Sequence, residues 1–171
     1  MINYVCKYAP VELFKGFGQE CAVLEEMPEN FDKSDKIAHA NLCGFGKSVI
    51  QAVLEGKVEE LVLVNCCDSM RRVYDIIENT GKCRFLYMLD LPHEDNECEN
   101  IKFAQSILRL KKAYERYSQR KFDRELFIKS FTQPQQERKP YIGLLGVHVS
   151  SILEKTIREN MQMDVENMTC T

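Results

Sequence analysis

Residues 41–75 read NLCGFGKSVIQAVLEGKVEELVLVNCCDSMRRVYD and hold the pattern that decides the fold. Leu42 to Leu54 carries apolar side chains three and four positions apart, which predicts a helix that ends near the following glycine. Leu61 to Val64 is an unbroken apolar run, typical of a strand that is covered on both faces. A second helix is predicted from about Met70 to Asn79. Helices on both sides of a buried strand are typical of an α/β fold.

The same alternation continues along the rest of the chain. The pattern predicts strands over residues 21–24, 83–91, 141–149 and 164–168, and helices over residues 10–17, 96–118, 123–131 and 150–160. The expected architecture is an open parallel sheet flanked by helices, of the Rossmann-like or flavodoxin-like kind. The strand over residues 21–24 is expected to be buried.

A polar segment at residues 132–139 reads as a linker and divides the chain. We expect a cysteine-bearing α/β domain over residues 1–138 and the start of a second, incomplete α/β domain over residues 139–171. Because the chain stops directly after a predicted strand, we expect a truncated chain or one half of a two-domain protein. A natural short form stays open.

Composition narrows the classes of function. A net charge of −3 and the absence of a long basic stripe argue against a nucleic-acid partner. The apolar runs are far shorter than the roughly 18–20 residues that a membrane span needs. A cytoplasmic protein is therefore expected. Eight cysteines in that compartment point to metal binding or catalysis rather than to a disulfide framework, although a single buried cysteine is usually just a small hydrophobe.

Two of these cysteines precede predicted helices. Cys43 opens the first helix of the deciding stretch, and Cys67 follows its strand and precedes the next helix. Ligands collect at the carboxyl ends of strands in an open α/β sheet, and a helix N-terminus stabilises a thiolate. Both positions suit a metal or redox site. Their spacing is not a compact C-x-x-C signature, so a zinc or thiol-redox protein and a metal-free interaction module stay open.

Three motifs follow one another along the chain. They are N-L-C at residues 41–43, C-C-D-S-M-R-R-V-Y-D at residues 66–75 and L-D-L-P-H at residues 89–93, followed by a long amphipathic helix. In this order and at these distances they resemble the 2-hydroxyacyl-CoA dehydratase family, which includes benzoyl-CoA reductase subunits and double-cubane cluster proteins. The resemblance covers most of residues 8–130.

The resemblance implies ligands for an iron–sulfur cluster. Cys43 and Cys67 would bind it, and Cys67 is preferred to Cys66 because it directly precedes Asp68, as in the C-D pair of the family. Thr169-Cys170-Thr171 matches the T-C-T that opens the cysteine set of the family's second domain, so by this resemblance Cys170 would be a further metal ligand. Cys21 is an extra candidate ligand, because it lies near a strand.

The resemblance also implies a reaction and partners. The cofactor would be a 4Fe-4S or double-cubane cluster. A separate ATP-dependent activator, with its own iron–sulfur cluster, would deliver low-potential electrons to it. The substrate would be an acyl-CoA or another small molecule, in a lyase or reductase completed by a second domain, a second subunit or a homo-oligomer. The alternative is a cluster-less α/β interaction subunit or a truncated remnant.

Overall fold

The main sheet has four parallel strands. The computed structural model describes residues 1–25, 27–131, 140–146, 149–161 and 163–169. The strands lie in the order β2-β1-β3-β4, and their bounds are Ile2–Tyr4 for β1, Cys21–Val23 for β2, Glu60–Val64 for β3 and Phe85–Leu89 for β4. Flavodoxin-like sheets begin with this order. The prediction of an open parallel sheet is therefore confirmed.

Helices cover both faces of this sheet. They are α1 (Val11–Lys15), α2 (Gly44–Leu54), α3 (Asp68–Thr80), α4 (Glu97–Ser118) and α5 (Arg124–Ser130), with a short 3₁₀ turn at Ser34–Lys36. The connection from β1 leads to β2 on one side, and the connection from β2 crosses back over β1 to β3 on the other side. Right-handed crossovers therefore place α1 on one face and α2 on the opposite face. The rings of Phe14 in α1 and Tyr114 in α4 meet at 5.0 Å, so α4 lies on the face of α1.

The central strand β3 is buried along most of its length. Leu61, Val62, Leu63 and Val64 are all fully buried. Helix α3 covers the strand with Val73 and Ile77, which are also buried. Helices on both faces explain why this strand reads as a continuous apolar run and not as an alternating one.

Strand β1 was not predicted from the sequence. It has only three residues, too few for a periodic pattern to appear, and its middle residue is the polar Asn3. Yet β1 lies inside the sheet, paired with β2 on one side and with β3 on the other. The side-chain amide of Asn3 donates to the Glu60 carbonyl at 3.4 Å, which gives this buried polar group a partner.

The predicted strand over residues 21–24 exists, but the expectation that it is buried is wrong. Within the described part of the chain, this strand, β2, pairs only with β1 and therefore forms an edge of the sheet. Val23 is accordingly 38% exposed.

The start of helix α3 and the end of strand β4 differ from their predicted positions, because of local capping and side-chain hydrogen bonds. Helix α3 begins at Asp68, not at Met70, because Cys67 has an extended backbone and stands as its N-cap. Strand β4 ends at Leu89, two residues before the predicted end. Beyond it, the backbone N–H of Leu91 donates to the side-chain oxygen of Asn65 instead of to the backbone of β3.

A second, two-stranded parallel sheet follows. It pairs β5 (Tyr141–Leu144) with β6 (Asp164–Asn167), and α6 (Ser151–Asn160) lies between them in sequence. The strand predicted over residues 141–149 thus ends at Leu144, with residues 147 and 148 outside the described part. The predicted linker at residues 132–139 also lies outside it, so the division of the chain near residue 138 stays a prediction. Among the described residues, no helix is long and apolar enough to cross a membrane.

The burial of β3 predicts where truncation of a side chain is costly. Leu63→Ala should lower the free energy of unfolding by about 2–5 kcal/mol, because the deleted atoms leave a cavity between two layers of helices. Leu108→Ala in α4 is the matched control, since Leu108 is 55% exposed. It should change stability by less than about 0.5 kcal/mol. Urea unfolding of both variants measures the difference, and equal losses would contradict this account of the core.

Candidate functional site

Four cysteines lie at the carboxyl edge of the main sheet. Cys6 follows β1, and Cys66 and Cys67 follow β3. Cys43 is the N-cap of α2, and α2 ends shortly before β3 begins, so its N-terminus lies at the same edge. The chain diverges from β1 toward β2 and toward β3, which makes this edge the switch point where open α/β sheets bind ligands.

Cys43 is held by the first turn of its own helix. Its sulfur accepts a hydrogen bond from the backbone N–H of Gly46 at 3.3 Å, and its backbone is extended, as expected of an N-cap. A Cβ at position 46 would lie 3.0 Å from Val73 Cγ2 and 3.4 Å from the Cys43 sulfur, so a larger residue there would require these side chains to shift by a few tenths of an ångström. The glycine thus lets α2 approach α3 closely. Cys43 itself is exposed to solvent.

Cys67 occupies the corresponding position at the start of α3 and is also exposed. Burial raises the pKa of its thiol, and the neighbouring Cys66 raises it further. The backbone N–H groups of Met70 and Ser69 act in the opposite direction and favour the thiolate, although no capping hydrogen bond forms. The pKa of Cys67 is raised overall.

Cys66 and Cys6 belong to the same group of thiols. The interaction with Cys6 is the largest cause that raises the pKa of the Cys66 thiol, followed by burial, while the interaction with Cys67 lowers it. Cys6 is only 2% exposed. The sequence pattern did not single out Cys6, because the strand that precedes it was not predicted.

Cys21 and Cys83 lie at the opposite edge. Cys21 is the first residue of β2, level with Ile2, and its sulfur faces the Val11 carbonyl at 3.9 Å. Cys83 precedes β4. Four residue steps separate Glu60 from Val64, so the amino and carboxyl edges are about 13 Å apart. The structure therefore does not bring Cys21 to Cys43 and Cys67.

Cys170, the remaining predicted ligand, lies outside the described residues. Within the part of the chain that the structure describes, no group of three or more His, Cys, Asp or Glu side chains is arranged to hold a metal ion.

A cleft of about 340 Å³ opens beside the thiol edge, where β3 and β4 end against α4. Asn65 shapes it: its amide donates to Asp90 Oδ1 at 3.0 Å and its carbonyl oxygen accepts from the Leu91 N–H at 2.8 Å. Three cationic side chains line the cleft, Arg71, Lys102 and Arg109, together with the carboxylates of Asp90 and Glu99. Residues of the L-D-L-P and C-C-D-S-M-R-R motifs therefore meet in the lining of one cleft, which has an excess of one positive charge.

Comparison with protein families gives a match over residues 6–145 to the 2-hydroxyglutaryl-CoA dehydratase, D-component. The chain belongs to this family. The match spans most of the 171 residues and includes the four cysteines of the carboxyl edge and the cleft. It confirms the resemblance inferred from the motifs.

Membership of the D-component family makes the chain a component of a 2-hydroxyacyl-CoA dehydratase. A component of a multi-part dehydratase fits association with a partner subunit. Comparison with curated protein sequences gives no match to the chain.

The two thiols at the amino edge should react slowly. Burial raises the pKa of Cys21 and of Cys83 to about 11 in each case. Because only the thiolate is alkylated, their reaction with iodoacetamide near neutral pH should be about a hundredfold slower than in the unfolded chain. The rate should rise about tenfold per pH unit up to the raised pKa. Peptide mapping by mass spectrometry measures both. Equal rates in the folded and urea-unfolded chain would contradict the burial of these thiols.

Asn65 should be costly to replace. Asn65→Ala removes the partners of Asp90 and of the Leu91 N–H, and should lower the free energy of unfolding by about 1–3 kcal/mol. Asn100→Ala is the control, since Asn100 is exposed on α4. Urea unfolding measures both variants. Indistinguishable stabilities would show that the Asn65 hydrogen bonds do not hold the cleft together.

Proposed function

We propose that this chain is the iron–sulfur component of a 2-hydroxyacyl-CoA dehydratase-like reductase, with Cys43 and Cys67 as ligands. One observation carries the proposal. Both residues are exposed cysteines that stand as N-caps of α2 and α3, the two helices that pack together at the carboxyl edge of the sheet.

The donors fit such a cluster in kind. Cysteine thiolates are the usual ligands of iron–sulfur clusters, and both sulfur atoms are open to solvent. The Gly46 N–H donates to the Cys43 sulfur, and the N–H groups of Met70 and Ser69 favour the Cys67 thiolate. Hydrogen bonds to the sulfur ligands of a cluster tune its reduction potential. The described residues supply part of a ligand set, so the proposal assigns the rest to Cys170 or to a second subunit or copy. The position of Cys21 at the amino edge gives no support for it as a ligand.

In this proposal, the protein holds the two cysteine ligands in place around the cluster. A bound iron–sulfur cluster supplies one-electron transfer at low potential. The helix N-termini hold the two thiols in place, and the packing of α2 on α3 through Gly46 keeps them on one side of the sheet. The proposal includes an ATP-dependent activator protein, with its own cluster, as the electron donor.

The cleft supports a substrate that carries anionic groups. Arg71 and Arg109 have the planar, multidentate head groups that bind phosphate and carboxylate oxygens, and Lys102 adds a third positive charge. An acyl-CoA has such phosphate groups, and we propose an acyl-CoA or another small anionic molecule as the substrate. Lys102 forms an ion pair with Glu99 at 2.8 Å, so the two arginines carry the positive charge that this carboxylate does not pair with.

A reducing cytoplasm completes the proposal. The seven cysteines that the structure describes are all free thiols, and free thiols persist in reducing compartments.

Iron binding tests the proposal. After anaerobic purification and reconstitution with iron and sulfide, the full chain should bind iron and show the broad visible absorption of an iron–sulfur protein. Cys67→Ser and Cys43→Ser should each abolish or strongly reduce iron binding, because each removes a thiolate ligand. Metal analysis and visible absorption measure this, and the metal analysis also separates iron from zinc.

Cys98→Ser is the matched control. Cys98 is likewise an exposed cysteine in the first turn of a helix, α4, but is not a proposed ligand. It should bind as much iron as the unmodified chain. Iron content unchanged by Cys67→Ser would make that ligand assignment wrong. Colourless, iron-free protein after reconstitution would favour the cluster-less interaction subunit instead.

A further inference from the structure

The two edge strands of the main sheet differ in length and in composition. Strand β2 has three residues, and a very short edge strand resists pairing with another chain. Strand β4 has five residues, Phe85–Leu89, and all of them are apolar or aromatic. It contains no charged residue and no proline, the residues with which edge strands usually prevent such pairing. Among the described residues, β4 pairs only with β3, so its other side is open.

The backbone of β4 directs hydrogen-bonding groups to that open side. The Leu89 carbonyl accepts from the Asn65 N–H, so Leu89 directs its backbone groups toward the β3 side. Successive residues of a strand alternate in this respect, so the backbone groups of Leu86 and Met88 point away from β3. Within the ranges that the structure describes, no strand or loop pairs with these two residues on that side.

This edge is open to solution. The side chains of Leu86, Tyr87 and Met88 are half-buried, although helices cover both faces of the sheet. A second cleft, of about 460 Å³, opens between α3 and β4, and its lining includes Tyr74, Tyr87 and Met88. A further strand at this edge would bury apolar side chains and supply partners for the outward backbone groups.

The charges that flank β4 fit a second copy of the same strand. Arg84 precedes β4 and Asp90 follows it, and both side chains are exposed. In an antiparallel pair centred on Tyr87, residue 84 of one copy lies opposite residue 90 of the other. Leu86 then lies opposite Met88, and the two exchange their outward N–H and carbonyl groups. Opposite charges across the pair stabilise this register, whereas a parallel pair would place like charges side by side.

Both flanking side chains can take part in this contact. Arg84 pairs with Glu59 in its own chain, but both side chains are exposed, and an exposed ion pair contributes little. Asp90 accepts the Asn65 amide at Oδ1, which leaves Oδ2 for a guanidinium of the second copy.

We propose that two copies of this chain associate by antiparallel pairing of β4 with β4, with Arg84 of each copy opposite Asp90 of the other. The contact makes one continuous sheet from the four-stranded sheets of the two copies. It is a two-fold, self-complementary interface. About four backbone hydrogen bonds form across it, two for each pair of Leu86 with Met88. The proposal does not depend on iron binding, so it is separate from the proposed function.

Sedimentation equilibrium of the full chain tests the proposal. At high micromolar concentration, with dithiothreitol present to prevent disulfides between chains, the unmodified chain should have twice the mass of one chain. Met88→Pro should raise the dissociation constant of the dimer by about thirtyfold or more, because it removes two N–H donors from the interface. The β3–β4 ladder does not use this N–H, so the variant should still fold, which circular dichroism checks.

Val23→Pro is the matched control on the other edge strand. The Leu24 N–H donates to the Tyr4 carbonyl, so the preceding residue, Val23, directs its N–H away from β1. The control therefore also removes an outward N–H from an edge strand, and it should leave the dimer unchanged. Equal effects of the two proline substitutions would overturn the proposal.

Charge variants test the register and do not depend on the folding of Met88→Pro. Arg84→Glu and Asp90→Arg should each weaken the homodimer, because each places like charges opposite one another at both ends of the paired strands. An equimolar mixture of the two variants should associate about tenfold more tightly than either variant alone, because the heterodimer again pairs opposite charges at both ends.

Three results would contradict the pairing of β4 with β4. A monomeric unmodified chain would overturn it and favour a segment of a different subunit at this edge. A dimer that Met88→Pro leaves intact would show that the chain associates through another surface. A mixture of the charge variants that associates no better than its components would overturn the register.

Discussion

The parallel pairing of β1 with β3 is the constraint on which the rest of the structure depends. Strand β3 is buried on both faces, and β1 lies between it and the edge strand β2. This pairing sets the point at which the chain turns in two directions, and it places Cys6 and Cys66 at the same edge of the sheet. Four buried apolar side chains of β3 belong to the core, and burial of apolar surface stabilises the fold. The thiols that follow β3 are therefore positioned by the same strand that stabilises the sheet.

The helix termini then decide how the thiols are presented. Cys43 and Cys67 are both N-caps, a position where a sulfur atom meets unpaired backbone N–H groups and also remains open to solvent. Gly46 allows α2 to pack closely on α3, since a Cβ at this position would lie only 3.0 Å from Val73 Cγ2. The same edge carries the cleft with Arg71 and its neighbours. Exposed thiols and a cleft lined by charged side chains thus adjoin at the carboxyl edge of one sheet.

Much of this was predictable from local patterns. The apolar run at Leu61 to Val64 and the flanking helical periodicity indicate a buried parallel strand, and the three motifs indicate the family. Strand β1 was not predicted, because three residues are too few to show a periodic pattern, and Cys6, which follows this strand, was therefore not identified either. The prediction that β2 is buried was wrong, because the position of a strand in the sheet depends on the strands that pair with it and not on its own residues alone. The same reason separates Cys21 from the other thiols.

The sequence by itself determined the α/β class, the helices that begin after Cys43 and Cys67, and the family, because these depend on residues close together in the chain. Only the tertiary structure decided the strand order, the placement of Cys6 at the carboxyl edge and the placement of Cys21 at the far edge. Those features depend on which strands lie side by side. Strand pairing joins segments that are distant in sequence, and the free energy that selects it comes from burial shared among all of them.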